Sequence, residues 1–170
     1  MGIRSHQLYS NTANITRKFL GNANRLTREV FSASGDTIYR YWRLYKTNSA
    51  AGGPWHNEVQ WTEPGAGSYY QGTNYQNWSH SGLISFTASR VTNGNTSETA
   101  FHTDTSGVGS YALLDLGEGN EKYFSKVEIW LSSTGVVATW NIQASNDNTN
   151  WTTLYTGLDV NSYTNVSVTW

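Results

Sequence analysis

The stretch whose reading decides the fold runs from Tyr111 to Gly157: YALLDLGEGNEKYFSKVEIWLSSTGVVATWNIQASNDNTNWTTLYTG. Three apolar runs lie in it, Tyr111 to Leu116, Val127 to Leu131 and Val136 to Ala144. In the second, Val127, Ile129 and Leu131 share one face while Glu128 and Trp130 share the other. In the third, Trp140, Ile142 and Ala144 oppose Asn141 and Gln143. A period of two places successive side chains on opposite sides of an extended backbone, so each run predicts a half-buried strand. The segments between them, Gly117-Glu118-Gly119-Asn120 and Asn146-Asp147-Asn148-Thr149-Asn150, are turn chemistry. Gly and Asn tolerate positive φ, and Asp and Asn side chains bond their own backbone.

The composition agrees with an all-β chain. The 170 residues suffice for one sandwich core plus an arm. Aromatic and charged residues each make up 14%, so the low charge is offset by rings that can fill a core, and disorder is not implied. That balance suits a surface-binding or virion protein better than a cytosolic enzyme. There is no cysteine, which excludes a disulfide scaffold and a thiolate metal site. No apolar run has the length of a membrane span, and residues 1–30 carry no signal-peptide apolar region.

Charge is unevenly placed. Residues 1–46 hold eight basic side chains against Glu29 and Asp36, a net +6, while residues 47–170 hold three against ten acids, a net −7. A basic arm on an acidic body predicts self-association or contact with another acidic protein, with Arg17, Lys18, Arg25 and Arg28 as the assembly residues. Nucleic acid is the weaker reading, because these charges are spaced rather than blocked and no base-stacking pattern accompanies them.

LLDLGE, SKVEIW and IQASNDNTNWTTLYTG, in that order, resemble the middle of a discoidin or coagulation-factor C-type domain. Asn93 to Thr103, NGNTSETAFHT, is similar to that family's "DGNTST-W-T" segment. The resemblance implies a galactose-binding-like jelly-roll β-sandwich from Leu83 onward. Ile38 to Lys46, IYRYWRLYK, alternates with Trp42 and Leu44 inward, and Glu58 to Glu63 is a second strand. In the family, strands like these two close the domain; here they come first. Residues 64–82, rich in Gly, Ser and Asn, read as a linker. A circularly permuted domain over 36–170 follows, preceded by an arm or hairpin over 1–35. Permutation places 38–46 antiparallel beside 166–170, and 58–63 near Leu83; strand donation to a neighbouring subunit is the alternative. Within the arm, Ile15 to Phe31 reads as a hairpin about Gly21-Asn22-Ala23-Asn24, with one amphipathic helix as its rival. Asn14 to Phe31, NITRKFLGNANRLTREVF, is similar to short "K-x-Y-L-G" repeats near the start of tailed-phage structural proteins, which implies a virion setting.

No nucleophile elbow, metalloprotease helix or phosphate loop is present, and the four His lack ligand spacing, so no enzyme is expected. The binding candidates are the aromatic and polar residues assigned to loops: Trp55, His56, Asn57, Tyr69, Tyr70, Tyr75, Trp78 and His80. Rings of this kind stack on the apolar face of a sugar, and also pack cores and protein interfaces. The resemblance further implies a structural Ca²⁺ at Asn93, Asn95, Thr96 and Glu58, although Asn93 stands where the family carries Asp. The expectation is a non-enzymatic glycan-binding module of a phage fibre, tail or head surface. The alternatives are a purely structural virion subunit and a carbohydrate-binding module of a glycosidase.

Overall fold

The computed structural model describes residues 37–48, 55–70, 77–103, 107–131, 138–160 and 165–170. The arm expected over 1–35 lies outside them. The described elements in chain order are β1 (Tyr41–Lys46), β2 (Trp55–Thr62), β3 (Trp78–Ser81), β4 (Leu83–Phe86), α1 (Ala88–Val91), β5 (Phe101–Thr103), β6 (Tyr111–Asp115), β7 (Lys126–Leu131), β8 (Ala138–Ser145), β9 (Thr152–Val160) and β10 (Val166–Thr169). The ten strands form two five-stranded antiparallel sheets, ordered β3-β6-β1-β8-β9 and β10-β7-β2-β5-β4. The chain is an all-β sandwich.

Alternation builds the core. In β1 the inward face carries Trp42 opposite Leu114 and Ala144, and Leu44 opposite Ala112 and Ile142. These meet Val59 and Trp61 of β2, Phe101 of β5, and Val127 and Ile129 of β7 in a single buried cluster. Each fully buried large apolar side chain contributes about 1.5–3 kcal/mol. The densest part is aromatic: Trp42 lies 5.0 Å from Phe124, 5.6 Å from Trp61 and 6.2 Å from Trp170, ring centre to ring centre. A second group stacks His56 on Phe101 at 4.3 Å, with Trp140 edge-on to the imidazole at 5.3 Å.

The turns form as their residues dictate. Asp115 Oδ1 accepts the Gly117 N–H at 2.8 Å. Asp147 Oδ1 accepts the N–H groups of Thr149 and Asn150 at 2.9 and 2.7 Å, and Asn148 takes φ 59°, a left-handed value that Asn accommodates.

Three expectations are corrected. The segment 38–46 does not pair with 166–170. β1 is an interior strand with β6 and β8 on its two sides, and β10 pairs with β7 in the opposite sheet. The two segments meet across the core, through Trp42 and Trp170. The physical reason is that β1 buries one face and needs hydrogen-bond partners on both edges, which two neighbours in its own sheet supply. Both β1 and β2 find their partners within the same chain, so no donation to a neighbour is needed, and β2 reaches β4 only through β5. Finally, 64–82 is not all linker: Trp78 to Ser81 is an edge strand on β6, and the second strand begins at Trp55 rather than Glu58, with a register shift between His56 and Glu58.

Candidate functional site

The binding candidates named from the sequence do not converge. Trp55 stands on the outer face of β2, 47% exposed, with its ring 5.0 Å from His102 of β5. His56, the next residue, points the other way and is fully buried, since neighbours on a strand face opposite sides. Asn57 is buried and donates Nδ2 to the Thr96 carbonyl at 2.7 Å. Tyr70 packs on Phe124 at 5.6 Å, and its ring receives the Lys122 ammonium at 5.5 Å. Half-buried Tyr69 lies close to Gly94, where an added Cβ would come within 2.9 Å of its hydroxyl. His80 stacks on Phe86 at 4.6 Å where the two sheet edges meet. Tyr75 lies outside the described residues, as do Arg17, Lys18, Arg25 and Arg28.

Trp78 is a core residue, correcting its assignment to a loop. It is buried, and its Nε1 donates to Thr92 Oγ1 at 2.8 Å. Trp78→Phe is expected to lower stability by about 1–2 kcal/mol in urea unfolding, through the lost hydrogen bond and the smaller ring. An unchanged midpoint would show that the ring does not pack there.

The calcium residues do come together, in a different chemistry. Glu58, fully buried under the loop 93–97, accepts the Gly94 N–H on Oε1 at 3.0 Å and the Asn93 N–H on Oε2 at 3.3 Å. Asn93 Oδ1 accepts the Asn95 N–H, and Asn95 Oδ1 accepts the Ser97 N–H. The Thr96 carbonyl is taken by Asn57, whose own Oδ1 has no partner among the described residues. Calcium takes about six to eight oxygens. Here one carboxylate is ringed by N–H groups, whose positive ends would face a cation. The arrangement does not fit Ca²⁺; it is a carboxylate anchor for a loop. Among the described residues no three His, Asp or Glu side chains gather as metal ligands. Burial holds the Glu58 carboxyl above the usual carboxylate range, and its hydrogen bonds from Gly94, Gln60 and Asn93 draw it part of the way back.

A cluster that the sequence reading did not single out lies on the outer face of the first sheet. Register sets its rows: Leu113, Arg43, Gln143 and Thr153 in one, Tyr111, Tyr45 and Asn141 in the next. Arg43 sits at the centre. Its guanidinium carbon lies 3.7 Å from the centre of the Trp151 ring, 4.7 Å from that of Tyr45 and 5.4 Å from that of Tyr111. Nε donates to Gln143 Oε1 at 2.8 Å, and Gln143 Nε2 donates to Thr153 Oγ1 at 3.0 Å. Burial draws the Arg43 pKa below its ordinary value, which still leaves the side chain a cation. Trp151 is held in place by the 146–150 turn, which Asn146 ties to the start of β1 through the Arg40 N–H and the Ile38 carbonyl. The alternation Tyr41-Arg43-Tyr45 was the available signal. What it lacked was the neighbours, which come from strands far along the chain.

Among the described residues no helix is long and apolar enough to cross a membrane. Comparison with models of known protein families, with curated proteins and with solved structures found no match to this chain.

Proposed function

We propose that the chain is a non-catalytic β-sandwich binding module that recognises a glycan, as a fibre, tail or head-surface component of a tailed-phage virion. The observation that carries the glycan reading is the outer face of the first sheet, where Arg43 and Gln143 are set among Tyr45, Tyr111 and Trp151. A pyranose ring has an apolar C–H face that stacks on an aromatic ring, and a rim of hydroxyls that needs fixed donors and acceptors. Both are present on one sheet face, where Arg43, Gln143 and Thr153 are already joined by hydrogen bonds and three rings pack on the guanidinium, so less conformational entropy remains to be lost on binding. The virion setting is supported by the resemblance of residues 14–31 to phage structural proteins. The galactose-binding-like assignment is supported by the segment order from Leu83 and is compatible with two antiparallel sheets of five strands.

A glycan array probed with the wild type and with a Tyr45→Ala, Trp151→Ala variant tests the reading. Each lost stacking contact is expected to weaken binding several-fold, by about 0.5–1.5 kcal/mol. Absence of wild-type binding to any glycan would overturn it. If the same substitutions instead dissociate an oligomer in analytical ultracentrifugation, the face is an assembly contact, and the purely structural reading takes its place.

A further inference from the structure

Resting on that reading, we infer that the ligand is an acidic saccharide, one whose carboxylate or sulfate group is received by Arg43. Nε is committed to Gln143, which fixes the guanidinium plane and leaves the two terminal nitrogens to other partners. Among the described residues no carboxylate pairs with Arg43. The acids nearest in register and sequence are each engaged elsewhere. Asp115 is bidentate with Arg40, through Nε at 2.7 Å and Nη2 at 3.0 Å. Asp147 is filled by Thr149 and by the backbone and side chain of Asn150. Asp159 accepts from Thr139 Oγ1 at 2.7 Å. Among the described residues Arg43 is therefore a positive charge without a carboxylate on this face, fixed through Nε by Gln143 and partly stripped of water.

Such an arrangement works against the fold. A half-buried cation with no carboxylate beside it among the described residues loses hydration and gains one neutral hydrogen bond and the attraction of ring faces in return. What it supplies is a planar fork whose free N–H groups match the two oxygens of a carboxylate or the paired oxygens of a sulfate. The Trp151 ring, its centre 3.7 Å from the guanidinium carbon, shields the cation from water on that side, which strengthens a charged hydrogen bond made at its edge. Tyr45 and Tyr111, in the next row, offer the apolar surface on which the sugar ring that carries the acid would lie. A neutral sugar would leave this fork unanswered, so the site discriminates by charge.

Sialyllactose, sulfated lactose and lactose titrated into the full chain by isothermal calorimetry separate the cases. The two acidic sugars distinguish a carboxylate from a sulfate as the source of the charge. At least one is expected to bind about tenfold or more tighter than lactose. That advantage should shrink as salt is raised. Arg43→Gln should abolish the preference with the unfolding midpoint unchanged or raised. Arg43→Lys, which keeps the charge without the fork, should restore only part of it. Equal binding of lactose and the acidic sugars, or an acidic preference that survives Arg43→Gln, overturns this inference and leaves the glycan reading standing. If none of the three sugars binds and a glycan array is likewise blank, the glycan reading itself falls.

Discussion

Trp42→Ala is expected to destabilise the sandwich by about 3–5 kcal/mol, which leaves little of a typical domain stability of about 5–15 kcal/mol. Trp42 is fully buried, and its ring touches residues from every side of the aromatic group: Tyr39 at 5.7 Å, Trp61 at 5.6 Å, Phe124 at 5.0 Å and Trp170 at 6.2 Å. Its Nε1 donates to the Tyr39 carbonyl at 3.1 Å, so truncation also removes a partner from that acceptor. These neighbours are themselves large rings, Trp61 on β2 and the others beside the ends of β1, β7 and β10, and cannot collapse together into the space. Trp42→Phe keeps most of the ring contacts and should cost markedly less. Guanidinium unfolding of the two variants checks both. A loss below about 1 kcal/mol for Trp42→Ala would mean that the aromatic group is not a packed core.

The second large effect centres on Glu58. Glu58→Ala leaves the N–H groups of Asn93 and Gly94 without their acceptor and should cost about 1–3 kcal/mol, with protease sensitivity appearing first in 93–97. Its pH dependence has a definite sign. Burial raises the folded-state pKa of this carboxyl, so the fold favours its protonated form. The resulting stability is full below the ordinary value of about 4.3 and is lost as pH rises through the folded value. Asp115 acts in the opposite sense. The Arg40 hydrogen bond lowers its pKa, so its stability is present above the ordinary value and is lost as pH falls through the folded one. Melting temperature should therefore rise on mild acidification from neutrality before falling in stronger acid. Glu58→Gln should remove the rise and keep the fall; the same rise in Glu58→Gln would refute the assignment.

How far the sequence could be read depended on which interactions are local. Alternation in Val127 to Leu131, Trp140 to Ala144 and Ile38 to Lys46 placed the correct faces inward, because the backbone geometry of a strand determines side and needs no partner. It could not tell which strands lie side by side. Nothing near Trp42 in sequence specifies Leu114 and Ala144 as its flanks, and the pairing expected with 166–170 failed on that ground. β3 escaped notice because an edge strand of four residues needs only one inward side chain, Trp78, which among Ser, Asn and Gly reads as a loop. The loop aromatics misled for a related reason: Trp55 and His56 are adjacent in sequence and on opposite faces of one strand. Glu58 and the 93–97 loop were paired by family resemblance, and only the positions of the N–H groups revealed an anchor in place of a cage. Arg43 was legible as an outward residue, but its significance lies in rings supplied by β6 and by the segment before β9.

The interior position of β1 has a consequence for the chain as it is made. Arg43 meets Gln143 across a separation of 100 residues, and Arg40 meets Asp115 across 75. At translation rates of about 5–20 residues per second, the Trp42–Leu44 segment emerges from the ribosome roughly 5–20 s before the strand that will cover its second edge. Until β6 is made neither edge has a mate, and one edge still lacks its partner after β6 has filled the other. Such long-range pairing is slow to nucleate, because loop closure is paid before contacts reward it. The nascent chain is thus a natural client for a chaperone that holds extended apolar segments, and the yield of folded protein will be governed by events during synthesis as much as by the stability of the finished sandwich.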